Sequence, residues 1–239
     1  MSADPALIWA YLTQGPLLWL TATLAAYALG TTVFRLSRGQ SWANPVLIAV
    51  VLLGLLLTAT GTPYATYFEG AQFVHFLLGP ATVCLALPMH DNLPRMRAAA
   101  LPILAGLAAG SLVAVASALA IARAFGLGGE VMASLAPKST TAPVAIGIAE
   151  RLGGQPTLTA VLVLTTGIFG AMVVTPLFNA LGFRDWRARG LAVGTAAHGI
   201  GTARALQVNP TAGAFAGIGM GLNAVLTAIL APLILRLFG

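Results

Sequence analysis

Residues 98–122 read AAALPILAGLAAGSLVAVASALAIA, an apolar run without a single charged side chain. About 20 such residues cross the roughly 30 Å of hydrocarbon in a bilayer. Eight residues further on the pattern changes. Residues 130–152 read EVMASLAPKSTTAPVAIGIAERL, still apolar at both flanks but holding Pro137, Lys138, Ser139, Thr140, Thr141 and Pro143 at their centre. The first stretch is a clean membrane span. The second has a span's composition with helix breakers where its middle should be. Proline inside a helix removes a hydrogen bond and clashes with the preceding turn. Non-helical backbone at membrane depth survives only where protein buries it or a wet cavity receives it.

The rest of the chain sorts into the same two kinds. Leu7–Leu36, Pro45–Thr60, Thr157–Leu181 and Thr211–Phe238 read as largely uninterrupted spans. Ala71–Pro88 is broken at Gly79-Pro80, and Gly190–Leu206 carries Gly194, Gly199 and Gly201 around His198. Residues 1–14 lack a basic leading region and a small-residue cleavage site, so the first hydrophobic segment is expected to stay as a span. The expected fold is an all-α, polytopic transmembrane bundle with discontinuous, broken or re-entrant helices. Residues 1–70 are expected to form N-terminal scaffold spans and 71–239 a transport core. Leu78-Gly-Pro-Ala-Thr82 and Leu135-Ala-Pro-Lys-Ser139 each precede an apolar tail, a proline and a long span. Broken segments at matching places in two halves point to pseudo-repeats, with a site at their interface.

Composition agrees. The chain is 58% hydrophobic and 8% charged, with a mean hydropathy of +0.91, against about 25% charged residues in a soluble domain. The net charge of +6 comes from arginines at segment ends, Arg35, Arg38, Arg95, Arg97, Arg123, Arg151, Arg184, Arg187 and Arg189, rather than from a basic stripe. That placement fits snorkelling and the positive-inside rule, favours the 35–38 and 184–189 loops as cytoplasmic, and argues against nucleic acid. A lone cysteine, Cys84, excludes an internal disulfide. No His/Cys/Asp spacing suggests a metal, and no cofactor is implied. Asp4, Glu69, Asp91, Glu130, Glu150 and Asp185 all fall in or beside loops, which disfavours a cation exchanger needing buried carboxylates.

Chemistry concentrates at the breaks. Lys138 is the only lysine, and Glu130 is the only acidic residue within ten positions of it. An ammonium at mid-membrane costs about 2.5–3.5 kcal/mol on insertion scales, so an anion from outside is its natural partner. Ser139, Thr140 and Thr141 add donors, as would any helix N-terminus the prolines expose; a lysine snorkelling from a segment end is the plainer alternative. A break near Gly199 or Gly201 would let His198, Thr202 and Arg204 converge, and His198 could carry a coupling proton. Thr82 and Asn223 are further candidates to line the pathway, Asn223 equally as a helix-to-helix hydrogen bond. Gly213/Gly217/Gly221, Gly106/Gly110 and Gly190/Gly194 have the spacing of close helix packing. Ser111 or Ser117 with His198 could form a dyad, but no nucleophile motif supports an enzyme.

The Leu135-Ala-Pro-Lys-Ser-Thr-Thr-Ala-Pro-Val-Ala-Ile stretch resembles the LrgB/CidB membrane family. So do Ala188-Arg-Gly-Leu-Ala-Val-Gly-Thr-Ala-Ala-His-Gly-Ile-Gly-Thr-Ala-Arg-Ala and Phe76-Leu-Leu-Gly-Pro-Ala-Thr-Val-Cys-Leu-Ala-Leu-Pro. The likeness runs from about residue 70 onward, and residues 1–70 match only in hydrophobic pattern. It implies two roles. Bacterial relatives are described as antiholin-like proteins that modulate murein hydrolase activity and lysis, and a plant relative is the plastidic glycolate/glycerate translocator. The chemistry of Lys138, Ser139, His198 and Arg204 fits a secondary transporter of small organic anions such as glycolate, glycerate or lactate. Such a carrier works by alternating access, through an elevator-like movement of the core, with a proton or sodium coupling ion and a homodimer in the bacterial inner membrane. The holin/antiholin-like role is the alternative. Where many members carry an acidic residue after the His-x-x-Gly-Thr segment, this chain has Gln207-Val-Asn-Pro.

Overall fold

A computed structural model describes residues 15–77, 80, 83, 84, 90 and 92–238, with no strand among them. Among the described residues four helices are long and apolar enough to cross a membrane: α1 (Pro16–Leu36), α5 (Ala100–Ala124), α8 (Pro156–Ala180) and α10 (Pro210–Phe238). Backbone contacts divide the chain into two compact units, residues 1–84 and 85–239.

In the first unit α1 packs against α2 (Pro45–Thr60) and α3 (Tyr64–Phe76). Ala26, Ala49 and Leu53 form its core, with Tyr67 beside them. Trp19 is fully buried and meets the Tyr67 ring edge-on at 5.9 Å. In α1, Thr21, Thr23, Thr31 and Thr32 donate to carbonyls four residues back, which keeps hydroxyls satisfied where water is scarce. Asn44 caps α2, accepting from Val46 N and Leu47 N. Gly61 ends it with a left-handed φ of 63° that an L side chain would resist. At 16 residues α2 reaches about 24 Å, short of a bilayer core.

The second unit holds α4 (Leu93–Ala98), α5, α6 (Gly129–Leu135), α7 (Ala142–Arg151), α8, α9 (Trp186–Val208) and α10. Its frame is α5, α8 and α10. The first half of α5 packs through Ile103 with Phe215 and Ile218 of α10. Its second half packs through Val115, Leu119 and Ala122 with Ala231 and Ile234, so α5 and α10 run parallel.

Two short elements are set into this frame. Helices α6 and α7 have 7 and 10 residues, and residues 136–141 between them are turn rather than helix. Met132 and Ala136 pack on the C-terminal halves of α5 and α10, and Ser134 is tied to the start of α8 through Gln155 and Thr159. The other element is α9. Its expected interruption at Gly199 or Gly201 falls instead at Ala197 (φ −128°, ψ 18°) and His198 (φ 40°, ψ −137°). Here the chain doubles back. A Cβ on Gly201 would lie 2.9 Å from Val193 Cγ2 and 3.1 Å from Val193 O, whereas eight residues of straight helix separate groups by about 12 Å. The glycines' part is therefore close approach rather than the turn itself, because only a hydrogen at position 201 fits against the returning limb.

Limb 186–196 runs parallel to α10, with Gly190 against the Ala212 carbonyl and Gly194 against that of Ala216. Limb 199–208 runs back to Asn209, whose side chain accepts from Thr211 N and Ala212 N and starts α10. The Gly190–Leu206 segment is thus a helical hairpin rather than a straight rod. It packs on the N-terminal halves of α5 and α10 and the C-terminal half of α8. The two short elements therefore enter from opposite ends of the frame.

Candidate functional site

The tips of those two elements meet near the middle of α8 and α10. At the first tip, Lys138 N donates to Leu135 O and Thr140 N to Pro137 O, closing tight turns. The Thr140 hydroxyl donates to the same Pro137 carbonyl at 3.0 Å, so that side chain is spent on the turn. Thr141 occupies the N-cap of α7 without capping it, with Pro143 in the first turn. Among the described residues the Lys138 ammonium and the Ser139 hydroxyl make no hydrogen bond or ion pair. Lys138 is partly buried and Ser139 is 4% exposed.

At the second tip His198 is 3% exposed, and its Nε2 lies 3.0 Å from Val163 O of α8. With the proton on Nε2 the ring donates to that carbonyl. The Thr202 hydroxyl donates to His198 O at 2.7 Å, supplying a partner at the disrupted turn. Two glycines unremarked in the sequence make this packing possible. A Cβ on Gly167 would sit 2.5 Å from His198 Cε1, and one on Gly170 2.5 Å from Ala197 Cβ. They form a notch in α8 for the hairpin tip; their spacing of three, inside a long span, was the available signal. A single side chain reaches both tips, so they share one neighbourhood.

That side chain is Asn223, fully buried in α10. Its amide donates to Ser139 O at 3.1 Å and Thr195 O at 3.0 Å, and its Oδ1 accepts from Ser111 at 2.6 Å and Thr227 at 3.2 Å. Two donors and two lone pairs are all that an asparagine offers. Each is taken, which leaves no hydrogen-bonding position for a ligand. Ser111 faces Asn223, not His198.

Arg204 goes elsewhere. It lines a small cavity of about 20 Å³ with Arg189, Trp186 and Thr175, in which His198 takes no part. Arg189, expected at a segment end, is buried. It donates to Thr175 O and Asn179 Oδ1, with its guanidinium 4.5 Å from the Trp186 ring centre and 5.6 Å from that of Phe178. A cavity of about 550 Å³ opens between α5 and α9 and is lined by Gly106, Gly110, Leu191, Thr195 and Phe215, with Asp185 and Arg187 also at its wall. It contains none of the expected site residues. Gly79 and Thr82 lie outside the described residues, and Pro80 is exposed. No group of His, Cys, Asp or Glu among the described residues could hold a metal.

Four membrane-length helices make this a multi-pass membrane protein. Comparison with known sequences gives the family. The chain belongs to the LrgB-like family, whose model matches residues 23–237; the likeness therefore reaches further toward the N-terminus than the motifs alone indicate. It is 33% identical over 195 residues to the "Holin-like protein CidB" of Staphylococcus epidermidis, covering 82% of this chain and 85% of that protein. A Staphylococcus aureus protein of the same name is 34% identical over 195 residues, with the same coverage. YxaC of Bacillus subtilis is 37% identical over 217 residues, covering 90% of this chain and 94% of that protein. No solved structure matches.

Proposed function

We propose that this chain is a holin-like protein of the bacterial cytoplasmic membrane that alters membrane permeability and thereby murein hydrolase activity and lysis. One observation carries this reading: the family match spans residues 23–237, both tips included, and relatives covered over four-fifths of their length bear the holin-like name. Expression in a bacterial host should change hydrolase activity and lysis rate; unchanged values in both assays would reject it.

A second reading has its own support in the Lys138 ammonium, set without a carboxylate at a non-helical tip. There the Ser139 and Thr141 hydroxyls and the uncapped start of α7 also face no protein acceptor. Charge, hydroxyl donors and a helix N-terminus together are what binds a small carboxylate. On this reading the two elements are discontinuous membrane segments of two pseudo-repeats, and the protein is a secondary carrier of glycolate-like monocarboxylates, dimeric and coupled to protons or sodium. Proteoliposomes separate the readings. A pore gives dye leakage graded by size and no competition, whereas a carrier gives saturable glycolate flux, competed by lactate and lost in Lys138→Ala.

A further inference from the structure

The two tips are interruptions in helices, and every interruption takes backbone carbonyls out of the helical ladder. Ser139 sits in the non-helical 136–141 turn, and Thr195 in the turn just before the reversal at Ala197 and His198. The carbonyls of these two residues are the ones that Asn223 holds. One side chain on a third helix therefore serves both interruptions, and its orientation follows from its neighbours. Two carbonyls can only accept, so they fix the amide nitrogen. The Ser111 and Thr227 hydroxyls then supply hydrogens to the oxygen. Because Asn223 is 0% exposed, moving either tip away strands a buried donor, the expensive outcome for a polar group.

We propose that Asn223 is a cross-tie making the two tips move as one body, and that it is thereby the residue that positions Lys138. Asn223 itself touches no ligand. A displacement at the His198 tip reaches Lys138 through the amide, and the four filled hydrogen-bonding positions make the coupled pair stiff. The proposal goes beyond both readings given above, and its consequence for anion binding rests on the second.

The chain offers a direct probe, because Lys138 is its only lysine. Amine acetylation of the full-length protein in liposomes, followed by mass spectrometry, reads the exposure of that one ammonium, with the N-terminal amine as internal control. Asn223→Ala should raise the Lys138 labelling rate about tenfold, as losing two buried hydrogen bonds would allow. Asn223→Asp, which keeps the shape and both hydroxyl bonds but replaces the two donors with acceptors, should do the same. Ser111→Ala leaves both carbonyl bonds in place and should label like wild type. Coupling is tested at the far tip: His198→Gly should change Lys138 labelling in the wild-type background and leave it unchanged beside Asn223→Ala. Wild-type labelling in a folded Asn223→Ala or Asn223→Asp protein, or an undiminished His198→Gly effect in Asn223→Ala, would overturn the proposal. Glycolate added during labelling tests the anion reading separately. If it fails to protect Lys138, that reading falls while the cross-tie stands.

Discussion

Gly167→Ala is the sharpest stability test of the hairpin tip. The new methyl carbon would lie 2.5 Å from His198 Cε1, 2.7 Å from Nε2 and 2.9 Å from Ile200 Cδ1. Carbon atoms rest at about 3.5–4.0 Å, so the imidazole must retreat by about 1 Å. Its bond to Val163 O, now 3.0 Å, would be lost with it. Overpacking of this kind costs about 1–3 kcal/mol, and the lost bond adds about 1 kcal/mol. Alanine's better helix propensity returns about 0.5–1 kcal/mol. The net expectation is a loss of roughly 1–3 kcal/mol. Gly221→Ala in α10, with no atom within 4 Å of its Cβ, should be neutral or slightly stabilising. Unfolding in mixed micelles measures both. In the double variant Gly167→Ala/His198→Ala the imidazole is gone and only Ile200 Cδ1, the free end of a side chain, stays close at 2.9 Å, so the alanine should cost much less than in the wild-type background. A Gly167→Ala protein as stable as wild type would refute the packing of the tip against α8.

Two other sites give independent predictions. Asp185 caps α9 by accepting from Arg187 N at 2.8 Å and forms an exposed ion pair with the Arg187 guanidinium. Hydrogen bonds from Arg187 hold its carboxyl below the ordinary carboxylate range. A depressed folded value means that the contribution is present above the unfolded value near 3.9 and is lost as pH falls through the folded one. The thermal-stability margin of wild type over Asp185→Asn should therefore vanish on acidification through that window, whereas Asp185→Ala should cost about 1 kcal/mol at neutral pH through the lost cap. Arg189→Lys keeps the charge but replaces the broad guanidinium beside the Trp186 and Phe178 rings with a compact ammonium. It should lower stability by about 1–2 kcal/mol in the same unfolding assay.

How much of this was legible beforehand depended on the kind of signal. Long apolar runs announce membrane helices because bilayer thickness sets their length, and Ala98–Ala122 was displaced by only two residues from the observed Ala100–Ala124. The Pro137–Pro143 stretch announced its turn because proline acts locally. The reversal in α9 did not announce itself at the right residue. The positive φ falls on His198, a side chain held there by Val163, Gly167 and Thr202 from its own and a neighbouring helix, and tertiary contacts of that sort leave no local trace. Arg189 was misread for the same reason: an arginine near a segment end looks like a snorkelling charge until Trp186 and Phe178 are placed beside it. Asn223 was half legible. A lone asparagine in an apolar span signals polar contact, but three of its four partners, Ser111, Ser139 and Thr195, come from distant parts of the sequence.

The hairpin in α9 also changes how the chain must be counted. A segment that returns to the end it started from adds nothing to the parity of crossings, which predicts residues 185 and 209 in the same compartment. A hydropathy tally that scores 190–206 as one more pass would invert everything placed after it. Reporter tags at those two positions would therefore light up together, on one side of the bilayer.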